Sequence, residues 1–137
     1  PMTERHLSIV TGASRGLGRG IADALVAQGH QVLGLSRQAP ADAGFEQWAV
    51  DLADPAPVAA RLAGWLAGQP ADRFASASLV NNAALLVTPG PLDSADAASI
   101  AAAVRVGVEA PLLLTAAFLR ATRAWPGLRR VLHVSSG

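Results

Sequence analysis

The sequence predicts an α/β protein in which a doubly wound parallel sheet is covered by helices on both faces. Short apolar segments of strand length alternate with longer segments whose apolar residues recur at helical spacing. The short segments are apolar along their whole length, which is typical of strands buried on both sides in a parallel sheet. A glycine-rich turn joins the first strand to the first helix. Because 137 residues show no linker or change of composition, we expect residues 1–137 to form a single domain.

The first half of the chain is predicted to contain three strands and two helices. The predicted strands are HLSIV (6–10), QVLGLS (31–36) and EQWAV (46–50). The first helix follows the glycine turn and ends before Gly29, which is placed like a C-cap residue. Asp54 is placed like an N-cap and Pro55 like the first residue of a helix, so we expect a second helix to run to about Gly68.

The second half is predicted to contain two strands and one long helix. The predicted strands are ASLVNNA (77–83) and RRVLHVSS (129–136). Between them we expect an alanine-rich helix from near Ser94 to about Thr122, bent near Gly107 and Pro111. This order of elements is that of a doubly wound sheet, for which we expect the strand order 3-2-1-4-5.

Composition excludes several classes of site and partner. Cysteine is absent and the three histidines lie far apart, so we expect no metal site. All eleven basic residues are arginines, scattered through a chain of net charge +1, so we expect no nucleic-acid partner. The most apolar region, 97–119, is interrupted by Arg105, Glu109 and Pro111, and the chain starts without an apolar signal-peptide core. We therefore expect a cytoplasmic protein with no membrane partner.

The turn after the first strand has glycines at positions 12, 16 and 18. In a doubly wound sheet this turn lies at the switch point beside the first strand, where the free N–H groups of a helix attract phosphate. The absence of lysine excludes the phosphate loop of nucleoside triphosphatases, and Ile21 stands where the pattern G-x-G-x-x-G needs its last glycine. A turn that is merely tight would also explain the glycines.

Four motifs, each near the predicted end of a strand, resemble those of the short-chain dehydrogenase/reductase family. They are TGASRGLG (11–18), DL (51–52), NNAA (81–84) and VSSG (134–137). In the family they correspond to the cofactor loop, the pair that contacts adenine, the sequence N-N-A-G and the end of the fifth strand. Ala84 replaces the last glycine of N-N-A-G. The resemblance extends over the whole chain, and the segment VGVEAP (106–111) is similar to that of the sepiapterin and benzil reductase branch.

The resemblance implies that these motifs hold a nicotinamide dinucleotide. The implied cofactor-binding residues are Gly12, Ser14, Arg15, Gly16, Leu17, Gly18, Ser36, Arg37, Asp51, Leu52, Asn81, Asn82, Ala83 and Val106. The second strand ends in Ser36 and Arg37 without a carboxylate, and Arg15 lies in the glycine loop. Because arginine suits the 2′-phosphate of NADP whereas an acidic side chain suits the ribose of NAD, we expect NADP(H). The alternative is that Arg15 and Arg37 are ordinary solvated surface residues that contact no phosphate.

The resemblance also implies which residues act on the substrate. The family uses a serine after the fifth strand, a tyrosine and lysine in Y-x-x-x-K, and an asparagine in the long helix that anchors a water relay. Ser136 occupies the position of the catalytic serine, whereas Gly107 stands where the asparagine would be. The chain contains no Tyr and no Lys. We therefore expect the polypeptide to continue beyond Gly137 and to supply these residues with the last strands of the sheet.

The implied function is hydride transfer between NADP(H) and a carbonyl or alcohol substrate. A dinucleotide-binding sensor or pseudoenzyme without turnover is the alternative, since it would also explain the missing Tyr and Lys. In the family the long helix packs against its copy in a second subunit. The resemblance therefore implies a homodimer or homotetramer assembled through the helix around residues 95–122.

Overall fold

The computed structural model describes residues 5–85 and 90–135, which form one five-stranded parallel sheet. The strands are β1 (His6–Thr11), β2 (Gln31–Ser36), β3 (Glu46–Ala49), β4 (Ser76–Asn81) and β5 (Leu128–His133). Their order in the sheet is β3-β2-β1-β4-β5, and every neighbouring pair is parallel. The predicted fold class and strand order are both confirmed.

Helices connect the strands on both faces of the sheet. They are α1 (Gly16–Ala27), α2 (Pro55–Ala67), α3 (Ala97–Val104) and α4 (Ala110–Ala121). A π-helical turn, Arg105–Glu109, joins α3 to α4 in one continuous helix, and a short 3₁₀ turn, Leu92–Ser94, precedes it. The irregular geometry of the long helix thus coincides with the predicted bend at Gly107, which lies inside the π-helical turn.

Alternating side chains of the strands form two separate cores. On one face, buried aliphatic residues of β1, β2 and β4 pack against α2 and α4. This larger core includes Leu7, Ile9, Leu33, Leu35, Leu62, Leu66, Leu79, Leu114 and Phe118. On the other face, Val10, Val32 and Val80 pack against Ala22 of α1. Burial of β1, β2 and β4 on both faces accounts for their continuous apolar segments, whereas β5 is mostly exposed.

The long helix begins three residues later than the sequence predicts. Ser94 lies in the 3₁₀ turn, and the helix starts at Ala97 because the Asp96 carboxylate accepts a hydrogen bond from the Ser99 backbone N–H at 3.2 Å. An aspartate in this position satisfies one of the free N–H groups of the first turn. Both Ser94 and Asp96 are good N-cap residues, and the sequence pattern does not distinguish them.

One helix within the described part of the chain, Ala97–Ala121, is long and apolar enough to cross a membrane by length and composition. Its inner side chains, among them Ala110, Leu114 and Phe118, are buried in the larger core against α2 and the sheet. An apolar inner face of this kind is what a helix that covers a sheet requires.

Candidate functional site

A cleft of about 870 Å³ lies at the carboxyl ends of the strands. Its lining residues lie at or just after the ends of β1, β2, β3 and β4, and one comes from the π-helical turn of the long helix. They are Gly12, Ser14, Arg15, Gly16, Leu35, Ser36, Arg37, Gln38, Val50, Asp51, Leu52, Ala53, Asn82, Ala83, Ala84, Leu85 and Val106. The cleft includes the gap between the turns after β1 and β4, which is the switch point of the doubly wound sheet.

The glycines of the first turn have two different physical reasons. Gly12 and Gly16 have φ angles of 67° and 59°, in the left-handed region that side chains other than glycine rarely adopt. Gly18 has ordinary helical geometry, but a Cβ atom there would overlap the Gly12 carbonyl oxygen and the Asn82 amide. The turn is therefore shaped by backbone conformation at its two ends and by close approach of α1 to the strand ends.

The N-terminus of α1 opens onto the cleft without a capping side chain. Arg15 occupies the N-cap position and makes no side-chain cap hydrogen bond, and the first turn contains no acidic residue. Gly16, the first residue of the helix, lines the cleft. Free N–H groups and the positive end of the helix dipole make such a terminus attractive to an anion.

A hydrogen-bond network joins the glycine turn to the end of β4. The Thr11 hydroxyl accepts hydrogen bonds from the backbone N–H groups of Asn82 and Ala83, both at 2.9 Å. In the other direction, the Asn82 side-chain amide donates to the carbonyl oxygens of Thr11 and Gly12, at 3.2 and 3.4 Å. Thr11 does not appear among the predicted site residues. A buried threonine directly before the glycine turn is the only signal of its role in the sequence.

The end of β2 forms a positively charged part of the cleft wall. Ser36 is 4% exposed, and its hydroxyl has no hydrogen-bond partner among the described residues. Arg15 and Arg37 are exposed and form no ion pair with a carboxylate of the described residues. Asp51 is the only acidic residue that lines the cleft within the described ranges, and its carboxylate accepts a hydrogen bond from the Ala53 N–H at 2.9 Å. Arg15, Ser36 and Arg37, with two exposed guanidiniums and one buried hydroxyl without a partner among the described residues, therefore all line the cleft.

The structure brings most of the predicted cofactor residues together at this cleft. Those that line it are Gly12, Ser14, Arg15, Gly16, Ser36, Arg37, Asp51, Leu52, Asn82, Ala83 and Val106. Three others do not line it. Leu17 is exposed, Gly18 is buried beneath the turn, and the Asn81 amide points to the opposite side, 3.2 Å from the Thr115 hydroxyl and 3.4 Å from His133 Nδ1. Ser136, the predicted catalytic residue, lies outside the described residues.

Six lining residues do not appear among the predicted site residues. They are Leu35, Gln38, Val50, Ala53, Ala84 and Leu85. All six lie within a few residues of the end of β2, β3 or β4, so position after a strand is the signal that would have found them. Most are apolar, and they complement the charged wall at Arg15 and Arg37.

A parallel sheet of this order, with a glycine turn and a free helix N-terminus at its switch point, defines the class of dinucleotide-binding α/β proteins. The sequence profile of the short chain dehydrogenase family matches residues 6–137. A short-chain dehydrogenase/reductase from Burkholderia vietnamiensis has a similar structure, with a TM-score of 0.86 and 43% identity over 97% of this chain and 66% of that one. The chain belongs to the short-chain dehydrogenase/reductase family of oxidoreductases, which bind a nicotinamide cofactor.

Two further relatives are informative about chemistry. A metagenomic short-chain oxidoreductase, solved in complex with NADP, has a TM-score of 0.79 and 32% identity, covering 96% of this chain and 62% of that one. A benzil reductase that forms (S)-benzoin, from Bacillus cereus, is 28% identical over 94% of this chain and 55% of its own length. The chain thus spans about half the length of this curated relative.

Proposed function

We propose that the chain forms the cofactor-binding part of an NADP(H)-dependent reductase that interconverts a carbonyl compound and its alcohol. The observation that carries the proposal is the wall formed by Arg15, Ser36 and Arg37. Its two guanidiniums are free of carboxylates of the described residues, and its buried hydroxyl lacks a partner among them.

The chemistry of this wall suits a 2′-phosphate better than a ribose hydroxyl. A phosphate dianion accepts charge-assisted, partly bidentate hydrogen bonds from arginine, and the Ser36 hydroxyl is free to donate another. NAD would instead be favoured by a carboxylate at the end of β2, where this chain has Ser36 and Arg37. The NADP complex of the metagenomic relative is consistent with this choice.

The remaining lining residues fit the other parts of a dinucleotide. The turn from Gly12 to Gly16 and the free N-terminus of α1 would hold the pyrophosphate, and Asp51 with Leu52 would contact the adenine. Ala83 and Val106 would lie toward the nicotinamide. When bound, the cofactor supplies the hydride.

We infer that the substrate is a carbonyl compound whose reduction consumes one hydride and one proton and gives an alcohol. Ser136 would hydrogen-bond the carbonyl oxygen, and the proton would come from a tyrosine assisted by a lysine, which these 137 residues do not contain. The benzil reductase relative makes aromatic 1,2-diketones the first substrates to test. Oxidation of NADPH by a polypeptide that carries this chain together with Tyr-x-x-x-Lys would support a reductase, whereas cofactor binding without turnover would support a sensor.

Cofactor preference is tested by titrating the protein with NADPH and with NADH. We expect NADPH to bind at least about tenfold more tightly, because a hydrogen bond to a charged group contributes on the order of 1.5–3 kcal/mol. Arg37→Gln should weaken NADPH binding by roughly 10- to 100-fold and leave NADH binding within about twofold.

Arg105→Gln is the matched control, because Arg105 is an exposed arginine outside the cleft lining. This variant should bind both NADPH and NADH with the affinity of the wild-type protein. Equal affinities of the wild-type protein for NADPH and NADH would refute the proposed preference. An equal loss of affinity for NADPH and NADH in Arg37→Gln would show that this arginine does not recognise the 2′-phosphate.

A further inference from the structure

Six of the eleven arginines lie in segments near the end of the sheet opposite the cleft. They are Arg5, Arg73, Arg120, Arg123, Arg129 and Arg130, and we call this surface the arginine pole. The amino ends of parallel strands meet at one edge of a sheet, so residues that precede or begin β1, β4 and β5 are brought together there. The chain also reaches this edge at the end of α4, before it enters β5.

Hydrogen bonds fix the neighbouring segments of the pole. The Ala75 N–H donates to the Arg5 carbonyl oxygen at 2.7 Å, and the Leu128 N–H donates to the Ala75 carbonyl oxygen at 3.0 Å. The Arg129 guanidinium donates to the Leu119 carbonyl oxygen at 3.1 Å, which places it against the last turn of α4. Segments whose arginines are far apart in sequence thus meet at one end of the sheet, with Arg129 and Arg130 directed to its two faces.

The charges of the molecule are segregated, although the chain as a whole is almost neutral. Among the described residues, the pole contains six arginines and one carboxylate, Asp72, whereas the remainder contains five arginines and eight carboxylates. None of the six forms an ion pair with a described carboxylate; the ion pairs of the described residues join Arg19 to Asp23 and Asp42. Five of the six are exposed, and Arg129 is half-buried.

We propose that the arginine pole binds the phosphate backbone of a nucleic acid duplex. This reverses the expectation drawn from the scattered positions of the arginines in the sequence. Unpaired guanidiniums repel one another, and a row of phosphates relieves the repulsion while accepting bidentate hydrogen bonds. Neighbouring strands lie about 4.8 Å apart, so the arginines that precede β1 and β4 or lie in β5 spread over roughly 10 Å and can reach several phosphates.

The surroundings of the pole favour contact with the backbone of a duplex over contact with bases or lipid. Phe74 and Trp125, the aromatic residues beside these arginines, are buried and offer no face for stacking bases. They are equally unavailable as aromatic anchors at a membrane interface. Binding is therefore independent of base sequence and dominated by charge.

The test measures binding of the 137-residue protein to a labelled DNA duplex of random sequence by fluorescence anisotropy, over a series of salt concentrations. Arg123→Gln/Arg130→Gln removes two pole charges whose side chains make no hydrogen bond or ion pair with the described residues. Removing one phosphate-binding arginine lowers the slope of log affinity against log salt by about one. We expect this variant to bind at least about fivefold more weakly at low salt, with a slope smaller by about two.

Arg61→Gln/Arg105→Gln is the matched control, because it removes the same net charge from outside the pole. It should bind within about twofold of the wild-type protein. An equal loss of affinity for the duplex in the pole variant and in the control variant would overturn the proposal. Failure of the wild-type protein to bind the duplex at low salt would overturn it as well. Tighter binding to anionic phospholipid vesicles than to duplex, or displacement of the duplex by NADPH, would also overturn it. Because the cleft lies at the other end of the strands, this outcome does not depend on whether the proposed cofactor is correct.

Discussion

Gly18 and Gly20 are two residues apart in α1, yet their surroundings differ completely. A Cβ atom at Gly18 would overlap the Gly12 carbonyl oxygen and the Asn82 amide, whereas a Cβ atom at Gly20 would meet nothing within 4 Å. We expect Gly18→Ala to destabilise the protein by about 1–3 kcal/mol, because α1 must move away from the strand ends. The same movement should weaken NADPH binding. Urea denaturation and a cofactor titration measure the two effects.

Gly20→Ala is the control for this prediction. Alanine is favoured over glycine in a helix, so this variant should be more stable by up to about 1 kcal/mol and should bind NADPH like the wild-type protein. Wild-type stability and wild-type affinity in Gly18→Ala would show that the close approach of α1 to the turn is unimportant.

At the scale of residues, the sequence predicts which side chains lie at strand ends but not how they are used. Asn81 and Asn82 are adjacent in the same motif, and the alternation of a strand sends them to opposite sides. Asn82 contacts the glycine turn, whereas Asn81 contacts Thr115 and His133. The Thr11 network joins residues 71 and 72 positions apart, which no local pattern encodes.

At the scale of elements, the ends of a helix are predictable where the sequence offers a single strong start or stop residue. Pro55 begins α2 as predicted, and Gly29, with a φ angle of 87°, follows α1 as predicted. The start of the long helix is not predictable, because two N-cap candidates lie close together. Its π-helical turn is predictable only as a bend, since Gly107 indicates a weak point in the helix but not which hydrogen bonds replace the regular ones.

The outer face of the long helix carries an apolar stripe that we propose as the contact between subunits. Val104, Val108 and Leu112 are four residues apart and 51%, 55% and 66% exposed. Exposed apolar groups at this spacing form one continuous strip, which is typical of a helix-to-helix interface. We expect Val108→Gln/Leu112→Gln to shift the protein from an oligomer to a monomer in sedimentation velocity, with NADPH binding retained because neither residue lines the cleft.

Leu92→Gln is the control for the stripe, since Leu92 is exposed but precedes the helix. It should leave the sedimentation coefficient unchanged. A wild-type protein that sediments as a monomer at all concentrations would contradict the proposed contact.

At the scale of the whole molecule, the parallel sheet separates two ends with different chemistry. The carboxyl ends of the strands form the cleft, and the amino ends form the arginine pole and a pair of stacked histidines. The His6 and His30 ring centroids are 5.1 Å apart, and their Nδ1 atoms lie 2.6 Å from the Ser76 hydroxyl and 3.0 Å from the Ser8 hydroxyl. Burial, and secondarily the charge of His6, lowers the pKa of His30.

This lowered pKa predicts that acid destabilises the fold. A histidine whose pKa is lower in the folded than in the unfolded state binds its proton preferentially in the unfolded state. The contribution of His30 to stability is therefore complete above the ordinary histidine pKa of about 6.5 and is lost as the pH falls below it. We expect the free energy of unfolding, measured by urea denaturation, to fall between about pH 7 and pH 5, and to fall less in His30→Gln. An identical decrease in the variant would show that other groups, and not the half-buried His30 imidazole, cause the loss of stability.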